Sequence, residues 1–252
     1  MPAPTCNFLN LEESEINRKI HRFMSIDRLL GLFVTQQNVL VRPKLWDDPM
    51  ENFLFKARGR NCQGVIGSFE FRHDFYGQCW TKGEETDAMW RIYSPDKNGV
   101  RITTTIRKLL DSLYDMTAEA ASVSCFLGAV EYRTKEEIYQ LLKDSRFVNA
   151  CVADTTGREK CRTLLIKRRE FTHEDEIRLI YKAPTTDPAA QDIYRHPFCP
   201  RNMISHILFD PRMDWNVYKA FKQHIYRAGD SYNYRITQSG IYRVPPLYAS
   251  MS

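Results

Sequence analysis

Apolar and polar positions along this chain follow two rhythms, one of two residues and one of three to four, and the rhythm changes often. A period of two over residues 20–23 predicts a short strand, and Ser25 opens a helix that places Ile26, Leu29, Leu30 and Phe33 on one face. Strand-like runs follow at residues 39–42, 64–72, 77–81 and 99–103, with a turn at 46–51 where Asp48 caps locally and Pro49 fixes the backbone. A helix starting within 103–105 carries Ile106, Leu109, Leu110 and Leu113 at helical spacing. Residues 122–133 then read as strand, 134–142 and 155–166 as helices, and 174–182 as strand. A loop rich in proline, threonine and aspartate covers 183–200. A strand at 204–209 and a helix near Asp214, with Trp215, Tyr218, Phe221 and Ile225 on one stripe, complete the pattern. Strands and helices are interspersed without the regular alternation of a doubly wound sheet, so the expected class is α+β.

Composition adds bounds. At 252 residues and 43% hydrophobic content the chain can bury a sizeable core. We read residues 1–16 as a polar N-terminal segment and 17–252 as a single domain. No apolar run approaches the ~20 residues that cross a bilayer, and no basic-then-apolar leader precedes Arg18, so a cytoplasmic protein with no membrane contact is expected. Seven cysteines are scattered without a Cys-x-x-Cys pair, which predicts reduced thiols and no metal site. Glycine-rich phosphate loops of the Walker and dinucleotide types are missing, which disfavours kinases, P-loop ATPases and Rossmann dehydrogenases.

Candidate chemistry concentrates at residues 167–178. On a strand, Glu174, Glu176 and Arg178 project from one face while Ile177, Leu179 and Tyr181 anchor the other. Paired carboxylates beside a cation suit a positively charged, sugar-derived transition state; they also suit a solvated strand edge with a Glu176–Arg178 ion pair. The net charge of +5 permits a polyanionic partner, and Lys160, Arg162, Lys167, Arg168 and Arg169 gather just before the acidic pair, where they would steer phosphate groups. A second constellation joins Cys79-Trp80-Thr81 to Trp90 and Tyr93. Those last two aromatics share a helical face, fit either to stack on a flat ring or to fill a core.

Together, Asp48-Pro49-Met50-Glu51, Cys79-Trp80-Thr81, Met89 to Ser94, Gly99-Val100, Lys167-Arg168 to Phe171 and His173 to Arg178 resemble the successive signatures of a bacterial domain-of-unknown-function family, over about residues 17–242. A basic residue on the first strand (His21 or Arg22), a hydroxyl at a mid-chain strand end (Thr81) and a late Glu-x-Glu more remotely resemble the arginine–serine–glutamate arrangement of ADP-ribosyltransferases. That resemblance implies two packed sheets split around an NAD cleft, with peripheral helices. It implies Glu176 and Glu174 as catalytic residues, with His21, Arg22, Trp80, Thr81, Trp90, Tyr93 and Lys167 around the NAD. It further implies a toxin or anti-phage effector that modifies RNA, DNA or protein; whether an antitoxin protein accompanies it is left open. Residue type leaves open which of His21 and Arg22 faces the cleft. Two readings from other classes stand beside this one: a metal-independent nuclease or phosphoryl-transfer enzyme built on Lys167, Glu174, Glu176 and Arg178, and a non-catalytic binding module.

Overall fold

Short alternating runs become strands along the whole chain. The computed structural model describes residues 3–60, 66–114, 121–183, 191–226 and 235–246. Its strands are β1 (Phe8–Leu9), β2 (Lys19–Ser25), β3 (Gln37–Val41), β4 (Arg58–Arg60), β5 (Ile66–Ser68), β6 (Phe75–Thr81), β7 (Gly99–Thr105), β8 (Cys125–Ala129), β9 (Glu131–Arg133), β10 (Ile166–Arg168), β11 (Glu176–Lys182), β12 (Ile193–Pro197), β13 (His206–Phe209) and β14 (Arg235–Gln238). The helices are α1 (Ile26–Thr35), α2 (Phe53–Lys56), α3 (Asp87–Tyr93), α4 (Ile106–Tyr114), α5 (Ala121–Ser124), α6 (Lys135–Lys143), α7 (Ser145–Ala153), α8 (Arg158–Thr163), α9 (Pro200–Met203) and α10 (Trp215–Ile225). The class is α+β, as the irregular interspersion predicts.

Helix starts follow their caps. Ser25 accepts from the Arg28 N–H, Thr134 forms a capping box with Glu137, and Asp214 accepts from Asn216 and Val217. Helix α1 packs on β2, and α4 packs on β7 and β8 with Ile106, Leu109, Leu110 and Leu113 all buried. Each such side chain removed from water contributes roughly 1.5–3 kcal/mol. A second apolar cluster, centred on Phe75, Phe126, Ile138, Leu164 and Ile180, fills the opposite side under α2, α6 and α8.

Ten of the described strands form one hydrogen-bonded sheet, with a main path β1-β8-β11-β6-β2-β7-β13-β14 and with β3 and β12 branching from β6. The path is unevenly sewn. β11 pairs with β6, and β2 with β7, along seven residues each. β2 meets β6 at one pair alone, His21 opposite Thr81. The other end of that β6 edge turns to β3, through Val41 opposite Gly77. The result is two sheets joined at a seam, β1, β8, β11, β6, β3 and β12 on one side and β2, β7, β13 and β14 on the other: the expected split arrangement.

Several local expectations are corrected. Residues 3–16 are not a separate polar segment: Phe8 and Leu9 pair with β8, and Ala3, Phe8, Leu9 and Ile16 are buried. The strand expected over 174–182 begins at Glu176, the one over 122–133 divides into α5, β8 and β9, and the helix expected over 155–166 is reduced to α8. Strand β12 lies inside the expected loop, zipped to β3. Residues 61–65, which include Cys62 and the start of the strand expected over 64–72, and 184–190 of that loop, lie outside the described residues.

Candidate functional site

Where β2 and β6 diverge, the fork encloses a cavity of about 240 Å³ whose lining includes His21, Arg22, Phe23, Cys79, Trp80, Thr81, Tyr93, Glu174 and Glu176. Register orders these residues. Glu176 stands opposite Thr81, Thr81 opposite His21, and His21 opposite Thr103, so the four side chains form one row on one face. Of the two candidate bases on the first strand, His21 therefore belongs to the row. Its Nδ1 lies 2.9 Å from Thr103 Oγ1, and burial, helped by Arg101, lowers its pKa to about 4, leaving the ring neutral at pH 7. Arg22 leaves β2 on the other face and borders the cavity from there. Among the described residues its guanidinium has no hydrogen bond or ion pair, and burial, with Arg28 nearby, pulls its pKa down to about 10. Its donors are unspent.

The acidic pair is assembled by a backbone kink rather than by strand alternation. Glu174 ends a 3-10 turn (Arg169–Glu174), and Asp175 takes a left-handed conformation with φ 39° before β11 begins. This turns Glu174 back toward Lys167 on β10. The Lys167 ammonium lies 2.5 Å from Glu174, 3.2 Å from Glu176 and 2.9 Å from Glu51. Arg178, 0% exposed, clamps Glu176 with Nε and Nη2 at 2.8 and 2.9 Å, reaches Glu51 at 2.8 Å and donates to the Leu164 carbonyl at 2.6 Å. Trp46 covers the guanidinium at 4.3 Å and presses so close to Gly77 that an added Cβ would stand 2.6 Å from its ring. Tyr93 donates to Glu174 at 3.0 Å, and the Glu176 N–H donates to the Tyr132 hydroxyl.

Three carboxylates thus face two cations in a buried cluster that reaches the cavity wall through Glu174 and Glu176. Burial alone would raise the Glu176 pKa, but Arg178 and Lys167 more than offset it and hold the carboxyl ionised, with a pKa of about 2. Three of its roughly four acceptor positions are taken by cationic N–H groups. The remaining bond comes from the Cys79 thiol, a weak donor open to the cavity, and a ligand hydroxyl can replace it. The same environment keeps that thiol protonated, since burial and the Glu176 charge push its pKa well up. Cys79 is expected to alkylate with iodoacetamide near neutral pH more slowly than Cys199, as followed by peptide mass spectrometry; equal rates would contradict this electrostatic picture.

The bland reading of the acidic pair as a solvated strand edge is overturned, because Glu176 is 3% exposed. The aromatic residues separate. Tyr93 is 41% exposed and stacks on Phe23, whereas Trp80 borders the cavity but is mostly buried, with its indole N–H on Gln78 at 2.7 Å. Trp90 is not a wall of the site: it is fully buried, donates to Glu85 and packs edge-on against Phe23. Nor does the basic run make a phosphate-steering patch. Lys160 lies buried over Phe71, Arg162 pairs with Glu159, Arg168 makes a forked contact with Asp48, Arg169 meets Glu137 and Lys167 is locked in the cluster. Glu51, Trp46 and Tyr132 are the participants that sequence reasoning did not single out.

Solved structures with a distant likeness include three of DarT from Thermus sp. 2.9. The structure in complex with NAD+ is 12% identical, covers 88% of this chain and 96% of that chain, and has a TM-score of 0.38. The complex with ADP-ribosylated ssDNA is 11% identical over 95% and 98% of the two chains with a TM-score of 0.39, and the carba-NAD+ complex 12% identical over 91% and 97% with 0.38. A comparison with curated proteins finds no match. Residues 89–179, which run from α3 into β11 and carry Tyr93, Lys167, Glu174, Glu176 and Arg178, match the model of the family described as "Protein of unknown function (DUF2971)", so much of the acidic site falls within a family segment whose description leaves its chemistry open.

Proposed function

We propose that the cleft binds NAD and transfers its ADP-ribose to an acceptor. The observation that carries this reading is the Glu176–Thr81–His21 row, which sets an ionised carboxylate, a hydroxyl and a neutral imidazole along one wall of a fork between two sheets. Breaking the bond between the ribose C1′ and the nicotinamide nitrogen sends the electron pair to nicotinamide and leaves an oxocarbenium-like sugar. A carboxylate fixed against that sugar stabilises the developing positive charge. Glu176 takes this role, accepting the ribose 2′-hydroxyl in place of the Cys79 thiol. Glu174, held by Lys167 and Tyr93, accepts the proton of the incoming nucleophile as its bond to C1′ forms. The free fork of Arg22 suits the pyrophosphate, and the exposed Tyr93 ring suits nicotinamide.

A nuclease or phosphoryl-transfer reading is less well supported, because Lys167 and Arg178 spend their charge on Glu51, Glu174 and Glu176 and leave little to offer a phosphate. In the favoured reading the protein is a cytoplasmic effector, a toxin or an anti-phage factor restrained by a partner protein. Incubating it with labelled NAD together with total RNA, DNA or lysate should release nicotinamide and label an acceptor. Arg22→Ala should raise the KM for NAD by about tenfold or more with little change in melting temperature. No nicotinamide release with any acceptor, together with a melting temperature indifferent to NAD, would sink the assignment.

A further inference from the structure

The row that begins in the cleft does not stop at β7. Thr103 stands opposite His206 and His206 opposite Arg235, while in the next row Phe23, Arg101, Leu208 and Thr237 follow one another across β2, β7, β13 and β14. One face therefore runs from the fork to the far edge of the second sheet, carrying His21, Thr103, Arg101, His206, Arg235 and Thr237 on it. Two strands beyond His21, roughly 10 Å at the usual strand spacing, it opens into a second cavity of about 370 Å³.

This cavity is predominantly basic. Arg101, Arg235 and Arg243 line it, with His206, whose Nε2 lies 2.7 Å from Thr237 Oγ1. Arg101 is buried, its Nε has no hydrogen-bond partner, and its Nη1 reaches only Glu84 at 3.3 Å, a side chain that is 82% exposed. The guanidinium groups of Arg235 and Arg243 have no ion pair among the described residues. Glu85, the one carboxylate among the described lining residues, also accepts the Trp90 indole N–H. Beside the arginines, Trp215 is 51% exposed and propped by Tyr218 with ring centroids 5.1 Å apart, so a flat indole stands at the cavity. Arg235 and Arg243, without ion pairs among the described residues, and Arg101, paired only with the exposed Glu84, repel one another until an anion joins them, and an exposed indole offers a base a stacking surface.

We propose that this second cavity is a nucleotide site, taking a phosphate among Arg101, Arg235 and Arg243 and a base against Trp215. The phosphate comes from a free mononucleotide or from a single strand. The site stands whether or not the cleft transfers ADP-ribose, because it is read by binding alone. The test titrates the full chain calorimetrically with 5′-AMP, inorganic phosphate and a short single-stranded oligonucleotide, without NAD. The Arg235→Ala/Arg243→Ala double variant changes two exposed side chains, and circular dichroism checks that its fold is retained. It should weaken nucleotide binding by about tenfold or more. Trp215→Ala should bring AMP down toward inorganic phosphate. Strand binding that AMP displaces identifies a strand as the source, and AMP binding without strand binding identifies a free nucleotide; both support the site. No binding of either, affinity unchanged in the double variant, or inorganic phosphate equal to AMP in the parent protein overturns it.

Discussion

Replacing Glu176 by glutamine should lower NAD turnover by about 100-fold or more, a loss of ~3 kcal/mol of transition-state stabilisation. The amide keeps the size but removes the charge that faces the sugar. Glu176 is the shared partner of Arg178 and Lys167, so its neutralisation leaves buried cations underpaired and should cost roughly 3 kcal/mol of stability as well. The matched control is Glu51→Gln. It removes a charge from the same buried cluster, but Glu51 does not line the cavity. Glu51→Gln should therefore be destabilised comparably yet keep most of its turnover per folded molecule, measured below both melting temperatures. Equal loss of activity in the two variants would make the cluster structural and remove Glu176 from the chemistry.

Arg178→Met should strongly destabilise the protein. The guanidinium satisfies Glu176, Glu51 and the Leu164 carbonyl from a fully buried position, and removing one side of such a cluster costs about 3–5 kcal/mol. That is a large share of a typical stability of ~5–15 kcal/mol. Arg178→Lys should not rescue it, since one ammonium does not reproduce a three-way planar fork. Urea midpoints decide the matter, and a midpoint close to the parent's would refute it. The same cluster sets the acid response. Glu176 has a lower pKa folded than unfolded, so its stabilisation is complete above about 4.5 and is lost as pH falls through about 2, on the order of 3 kcal/mol in all. His21 and His196 are depressed to about 4, so their neutral forms favour the fold above pH 6.5 and that advantage disappears as pH falls through 4. Stability should thus decline in two stages on acidification, histidines first, and Glu176→Gln should lack the second.

What was legible in the sequence was local. Ser25, Thr134 and Asp214 mark their helices because a cap acts within three residues, and Glu-x-Glu-x-Arg points to the cluster because its members are near neighbours. What was not legible depends on distant chain. Glu51 joins Arg178 across 127 positions, and no periodicity announces such a pairing. β12 is a largely exposed edge strand whose polar sequence reads as loop, and it exists because β3 offers it a partner. The left-handed turn at Asp175 reverses the simple expectation that Glu174 and Glu176 share a strand face, though both still reach Lys167. The basic run misleads for a related reason: charges adjacent in sequence are dealt out to separate carboxylates once the chain folds. Pairing with β6 places His21 in the row with Thr81 and Glu176 while Arg22 borders the cavity from the other face of β2, an arrangement that residue type cannot report.

The single His21–Thr81 bridge gives the molecule a line of mechanical weakness. Parting β2 from β6 breaks one register pair, whereas parting either strand from its other long neighbour breaks seven. Compliance is therefore concentrated along the mouth of the cleft. Any fluctuation that widens it leaves the long β11–β6 and β2–β7 pairings whole, so the passage of a bulky molecule costs the fold far less there than along either of those two boundaries.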